Sequence, residues 1–170
     1  MRKRITNGRM AHMHNVAEYM YLHAKDYGLE DQKEEMYVLG LLHDIGAVRD
    51  ANTHNICGMD IMRHTGIAQK YLTAIEWHMR GPDEFCKHFG ITEEQIPKHM
   101  LLLWDADLHV TSTGKIVTIR ERLNDIRIRH NRFIGLDDDA DDGYTDVALQ
   151  IIGVIQRYKT GKKEQGCQES

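Results

Sequence analysis

Cysteine is scarce in this chain: its 170 residues hold three, Cys57, Cys86 and Cys167, and none stands in a Cys-x-x-Cys pair. An odd, unpaired set excludes a disulfide scaffold and a cysteine-rich zinc finger, and fits a reducing cytoplasm. Proline occurs only at Pro82 and Pro97, so little interrupts helices. No run approaches the roughly 18 apolar residues that span a bilayer. The basic start Met1-Arg2-Lys3-Arg4 is not followed by the apolar stretch of a secretory leader. Excess positive charge is also lacking: the net charge is -4 and the pI about 6.2, which argues against a nucleic-acid-coating protein. The expectation is a cytoplasmic protein with no membrane and no nucleic-acid partner; oligomeric state is not readable.

What is present is helical periodicity and histidine. Met13, Val16, Ala17, Met20, Ala24 and Tyr27 recur at three- and four-residue steps up to Gly28. Asp31 and Glu34 are spaced like a capping box opening a second helix through Met36, Leu39 and Leu42 to Gly46. Further helices are predicted over 56–63, from Ala68 to the stop at Gly81-Pro82, from Pro97 to Leu108, through Ile116, Ile119, Leu123 and Ile126, and through Val147, Ile151, Ile155 and Tyr158. The loops 47–53 and 82–91 lie between them. No alternating segment suggests a sheet. The fold expected is all-α, a bundle of six or seven helices. A main domain is expected over 1–135, an acidic linker over 136–143, a packed C-terminal helix over 144–160 and a flexible tail over 161–170. The acidic run fails the calcium-loop pattern: counted from Asp137, the sixth residue is Asp142 and the twelfth Ala148, where Gly and Glu are needed.

Eleven histidines in so ordinary a composition call for an explanation. Three fall on apolar stripes: His43 continues the Met36, Leu39 face, His78 the Tyr71, Ile75 face, and His12 lies four residues before Val16. A buried imidazole needs hydrogen-bond partners or a metal. Asp107 lies three and seven residues after Trp104 and Met100, which puts a carboxylate on an apolar stripe, a placement disfavoured unless it is paired or metal-bound. Helical bundles build metal sites from such inward-facing side chains. His12, His43, Asp44 and Asp107 could together enclose one divalent cation. With no thiolate among them, Fe, Mn, Co, Zn or Mg is favoured. His23, His88, His99 and His130 lie in polar surroundings and read as surface residues; His64 and His109 are candidates for orienting the ligands.

These residues resemble the HD-domain metal-dependent phosphohydrolase superfamily. Its ordered pattern is a His, then His-Asp, then a distant Asp. Here the elements are Arg9-Met10-Ala11-His12, with His14 as rival to His12; Leu41-Leu42-His43-Asp44-Ile45-Gly46; and Leu103-Trp104-Asp105-Ala106-Asp107, with Asp107 preferred over Asp105. The binuclear branches add two histidines between the last two elements, and His54 and His78 match them. The resemblance implies an HD-domain bundle in which six ligands hold one or two ions, with Asp44 bridging and iron favoured if there are two. The cyclic-dinucleotide phosphodiesterase branch is disfavoured because Met79-Arg80-Gly81-Pro82 replaces its Gly-Tyr-Pro. In the branch similar to dinucleoside-tetraphosphate hydrolases a Lys follows the His-Asp pair; Arg49 stands nearest that role here.

The function expected is hydrolysis of a nucleotide or related phosphoester or phosphoanhydride through a metal-activated hydroxide. Asp44 and Arg49 are the catalytic candidates, and Arg9, Arg49 and Arg80 the candidates for binding phosphate. Two rival readings use the same residues: a di-iron HD-type oxygenase, and a non-catalytic nucleotide-binding module with the arginine-rich helix of residues 116–132 as a partner surface.

Overall fold

The computed structural model describes residues 5–134 and 144–166. Among them are eight α-helices, four short 3-10 turns and no strand, so the fold is all-α. The helices are α1 (Asn7–His23), α2 (Lys33–Leu42), α3 (His54–Met62), α4 (Gln69–Trp77), α5 (Pro82–Phe89), α6 (Lys98–Asp107), α7 (Ile119–Ile134) and α8 (Tyr144–Gly166). No helix among the described residues is long and apolar enough to cross a membrane. The acidic run 137–142 lies outside the described residues, as do 167–170; α8 continues through 161–166.

Two compact units divide the chain. One comprises the described residues up to Met79 with Pro97–Arg122; the other comprises Arg80–Ile96 with the described residues from Leu123 onward. In the first, α1 packs along α2, and α3 against α4 and the turn that follows α2. Its interior includes the fully buried Val16, Met20, Tyr27, Met36, Ile75 and Trp104. Burying each large side chain contributes roughly 1.5–3 kcal/mol. The α1–α2 approach depends on Gly40, where a Cβ would meet the Ala17 Cα at 2.7 Å. In the second unit α5 packs on α8, Phe85 and Phe89 lie 4.6 Å apart, and Arg157 donates to both carboxylate oxygens of Glu93 at 2.7 Å.

The helix expectations need four corrections. Helix α5 occupies a segment read as a loop: Pro82 is its first residue, Asp83 and Glu84 fill its first turn, and Gly90 closes it in the left-handed region at φ 63°. Gly81-Pro82 thus ends one segment and begins another. The capping box of Asp31 and Glu34 is not formed, because a 3-10 turn at Glu30–Gln32 delays α2 to Lys33 and its N-cap is Gln32. Helix α2 stops at Leu42 rather than Gly46, so His43 and Asp44 sit in the turn before a 3-10 segment at Ile45–Val48. Ile116 lies before α7, is 64% exposed, and pairs with Val110 in an isolated antiparallel bridge.

Candidate metal centre

Each predicted ligand stands at or near a helix end of the first unit except His12, which lies within α1. His43 and His78 are the residues just past α2 and α4, His54 is the first residue of α3, and Asp107 is the last of α6. Asp44 follows His43 with φ -103° and ψ 9°, outside helical geometry. The chain leaves the helix there, and both side chains reach one site, His43 Nε2 lying 3.5 Å from Asp44 Oδ2. His12, His43, Asp44, His54 and His78 are all buried; the Asp107 side chain retains 29% exposure.

All four imidazoles are held in one way. Nδ1 of His12 faces the Thr111 carbonyl at 2.9 Å. Nδ1 of His43, His54 and His78 faces the carbonyl three residues earlier, of Gly40, Ala51 and Ile75, each at 2.7 Å. A carbonyl only accepts, so Nδ1 carries a proton, and in the neutral ring each Nε2 presents a bare lone pair. The Nε2 atoms meet in pairs, His12 with His43 at 3.3 Å and His54 with His78 at 3.2 Å. Two lone pairs at that distance repel unless a cation lies between them and the carboxylate.

Asp44 serves both pairs. Its Oδ2 lies 3.5 Å from Nε2 of His12 and of His43, and its Oδ1 lies 2.8 Å from His54 Nε2 and 3.4 Å from His78 Nε2. Oδ1 is fully buried and receives no hydrogen bond so long as the Nε2 atoms around it are bare. Such an orphan is costly in a buried site. Two groups therefore have the donors, burial and spacing to hold a metal ion, His12 with His43 and Asp44, and Asp44 with His54 and His78. The donor set of nitrogen and carboxylate oxygen suits a borderline divalent ion.

The electrostatics agree. Burial pushes the His43 imidazole down to about 4, leaving it neutral and ready to ligate at neutral pH. Burial opposes ionisation of Asp44, but the imidazoles of His43, His54 and His78 outweigh it and hold the carboxyl well below its usual range. Burial also lowers His54; a hydrogen bond to Asp44, the charge of Asp44 and the Ala51 carbonyl outweigh it and leave that imidazole above its ordinary value, so without a metal a proton on Nε2 is favoured where a cation would otherwise sit. The position attracts a cation.

The alternatives weighed in the sequence are separated by their contacts. His14 is exposed and stands edge-on to Tyr37, whereas His12 is in the cluster. Asp105 is buried but accepts from Tyr19 at 3.2 Å and Tyr27 at 2.8 Å, while Asp107 Oδ1 lies 3.2 Å from His12 Nε2. His64 is exposed, and His109 turns its Nδ1 to the Asp105 carbonyl at 2.8 Å. His99 departs from its surface reading: it is half-buried, donates to the Lys70 carbonyl at 3.2 Å, and desolvation pushes it down to about 4.

Among the arginines, Arg9 donates to Asp44 Oδ2 and keeps 25% exposure. Arg49 is half-exposed and pairs with Asp60. Arg80 belongs to the second unit and pairs with Glu84 one helical turn on. Arg122 escaped the sequence reading, where it looked like one of several solvated helix arginines. It is 6% exposed, donates through Nε to the Asp107 carbonyl at 3.1 Å, and places Nη2 3.4 Å from Asp107 Oδ1. Its three- and four-residue spacing from Ile119 and Ile126 was the available signal, shared with exposed Arg129. Together with His12 it holds the Asp107 carboxyl below its usual range, against burial. Arg122→Met should cost about 1.5–3 kcal/mol in denaturant unfolding, the scale of a charge-assisted hydrogen bond. It should also weaken metal binding about 10- to 100-fold, the usual cost of losing a residue that orients a ligand. Unchanged metal affinity by calorimetry would leave Arg122 a purely structural residue.

Four imidazoles and a shared carboxylate brought together inside a helical bundle have the make-up of the metal sites such bundles build. The family model described as the HD domain matches residues 9–110, more than half of the chain, and the chain belongs to the HD domain family. That segment contains His12, His43, Asp44, His54, His78 and Asp107; Arg122 lies beyond it. Neither the curated proteins nor the solved structures contain a match to the chain.

Proposed function

We propose that the protein is a metal-dependent phosphohydrolase acting on a nucleotide or a related phosphoester or phosphoanhydride. One observation carries the reading: Asp44 turns one oxygen to each of two histidine pairs whose lone pairs are bare. A divalent ion bound there supplies Lewis acidity, polarising a phosphoryl oxygen and bringing water toward a pKa of about 7. The chain does the rest. The carbonyls of Thr111, Gly40, Ala51 and Ile75 keep the four rings aimed and in one tautomer. Asp44 is the ligand common to both groups, and Asp107 adds a second carboxylate beside His12. Arg9, in contact with Asp44 and partly open to solvent, is the arginine best placed to meet a phosphate; bidentate pairing suits a guanidinium to that role. Arg49 would have to release Asp60 to do the same.

The shared carboxylate also favours two ions over one, and with two irons a second reading, an HD-type oxygenase, uses the same residues. Elemental analysis, phosphate release from a panel of nucleotides and dinucleoside polyphosphates, and oxygen consumption separate them. The expected result is metal-dependent phosphate or nucleotide release that chelation removes and reloading restores. Turnover surviving complete metal removal sinks the proposal, and oxygen-dependent turnover replaces it with the second reading.

A further inference from the structure

The carbonyls that hold the four imidazoles come from different distances along the chain. His43, His54 and His78 each use the residue three positions earlier, so their aim is set locally. His12 depends on Thr111, 99 residues away. The Thr111 carbonyl belongs to a tight turn: the Gly114 N–H also donates to it at 2.8 Å, so one oxygen accepts from both the turn and the ring. The Thr111 N–H donates to the Lys115 carbonyl at 2.8 Å, and the Val117 N–H to the His109 carbonyl at 2.9 Å, closing the loop behind the turn. Two residues seat this turn on α1. Gly114 has φ 85°, and a Cβ there would lie 2.6 Å from the Ala11 carbonyl carbon and 2.8 Å from its oxygen, so only glycine brings the turn this close. Asn15, three residues after His12, donates from Nδ2 to the Gly114 carbonyl.

We propose that Gly114 and Asn15 are positioning residues for the metal centre: they clasp the Thr111 turn to α1, and its carbonyl then fixes the tautomer and aim of His12. The inference rests on the metal reading of the site and adds an asymmetry to it. The group of Asp44 with His54 and His78 takes its ring orientations from its own helix ends. The group of His12 with His43 and Asp44 needs the distant turn docked. Loss of the clasp weakens the His12 group and spares the other.

Gly114→Ala tests the clasp. Gly66→Ala is its control for left-handed backbone alone, since Gly66 has φ 81° and nothing within 4 Å of an added Cβ. Imidazole nitrogen resonances of the metal-free chain are read first. In Gly114→Ala the His12 signals should move toward the other tautomer while those of His43, His54 and His78 keep their parent positions. In Gly66→Ala all four should keep theirs. Calorimetry with manganese(II) chloride is read second. Gly114→Ala should weaken binding about 10- to 100-fold in the His54→Ala chain, which keeps the His12 group, and less than about twofold in the His12→Ala chain, which keeps the other. Should either chain bind too weakly to titrate, the ring resonances decide alone. Should Gly114→Ala fail to fold, Asn15→Ala removes one hydrogen bond, leaves the backbone unstrained, and should shift the same readouts, with affinity about 2- to 10-fold lower. A parent that takes up no manganese fails the metal reading and this inference together. Where the parent takes it up, an undisturbed His12, four rings disturbed alike, or equal losses in the two histidine variants overturn this inference alone.

Discussion

Gly46→Ala is expected to destabilise the protein by about 3 kcal/mol or more, the upper end of what overpacking costs. A Cβ at this position would lie 1.9 Å from the His54 carbonyl oxygen, 2.3 Å from the Gly58 nitrogen and 2.8 Å from the His54 carbonyl carbon. All three are backbone atoms, so no side chain can rotate away. Relief requires moving the 3-10 turn away from α3, and α3 begins with His54. Gly58 is itself tightly placed: a Cβ added there would meet Ile75 Cγ2 at 3.0 Å and the Gly46 nitrogen at 3.4 Å. The substitution therefore acts on fold and site together. Besides the drop in unfolding free energy, metal content should fall, with the His54 and His78 group losing its ion first. Gly66→Ala is the control. Gly66 has φ 81° and nothing within 4 Å of an added Cβ, so only the left-handed backbone is penalised, at about 1–2 kcal/mol, with metal content unchanged. A Gly46→Ala protein within 1 kcal/mol of the parent, measured by denaturant unfolding, would show that α3 is not seated as described.

That glycine illustrates what could and could not be read from the residues alone. His43-Asp44-Ile45-Gly46 was legible as a motif, and the order of His12, His43-Asp44, His54, His78 and Asp107 was legible as a spacing. The helical class was equally plain, because apolar side chains recur at helical steps through most of the chain. Why Gly follows Ile45 was not legible: it depends on another helix crossing 12 residues downstream, and no local pattern records a crossing. The ring orientations were hidden for a related reason. They rest on the carbonyls of Thr111, Gly40, Ala51 and Ile75, and every residue has a carbonyl.

Arg122 and α5 were missed differently. The signals for α5 were present in full, Pro first, acids next, Gly last, but Gly81-Pro82 was read as an ending because a helical stripe precedes it. Arg122 shares its helix with Arg120, Arg127 and Arg129, and composition does not distinguish the one that turns back to a carboxylate. Only the partner, Asp107 fifteen residues earlier, makes that difference.

Asp44→Asn is the substitution expected to act most strongly on function. The change keeps side-chain volume and removes the charge that both histidine pairs share. Loss of any single histidine should empty one group: His54→Ala the second, His12→Ala the first. Loss of Asp44 should empty both, so bound metal falls to near zero where a histidine variant of a two-ion site keeps about half. Turnover should fall by at least about 100-fold, since residues that merely orient ligands already cost 10- to 100-fold. The variant should still fold. Asp44 is ionised far below its usual range, so its pairing stabilises the metal-free protein at every pH above the ordinary carboxylate value and is lost only as pH falls through the depressed one. Asparagine forfeits that contribution at neutral pH. The loss should stay under the roughly 3–5 kcal/mol of breaking a fully buried pair, because Arg9 is 25% exposed and its guanidinium can turn to water. Folded protein without metal or turnover, judged by a cooperative melt beside elemental analysis, is the outcome that ties the chemistry to the shared carboxylate. Retention of half the metal would instead confine Asp44 to one of the two groups.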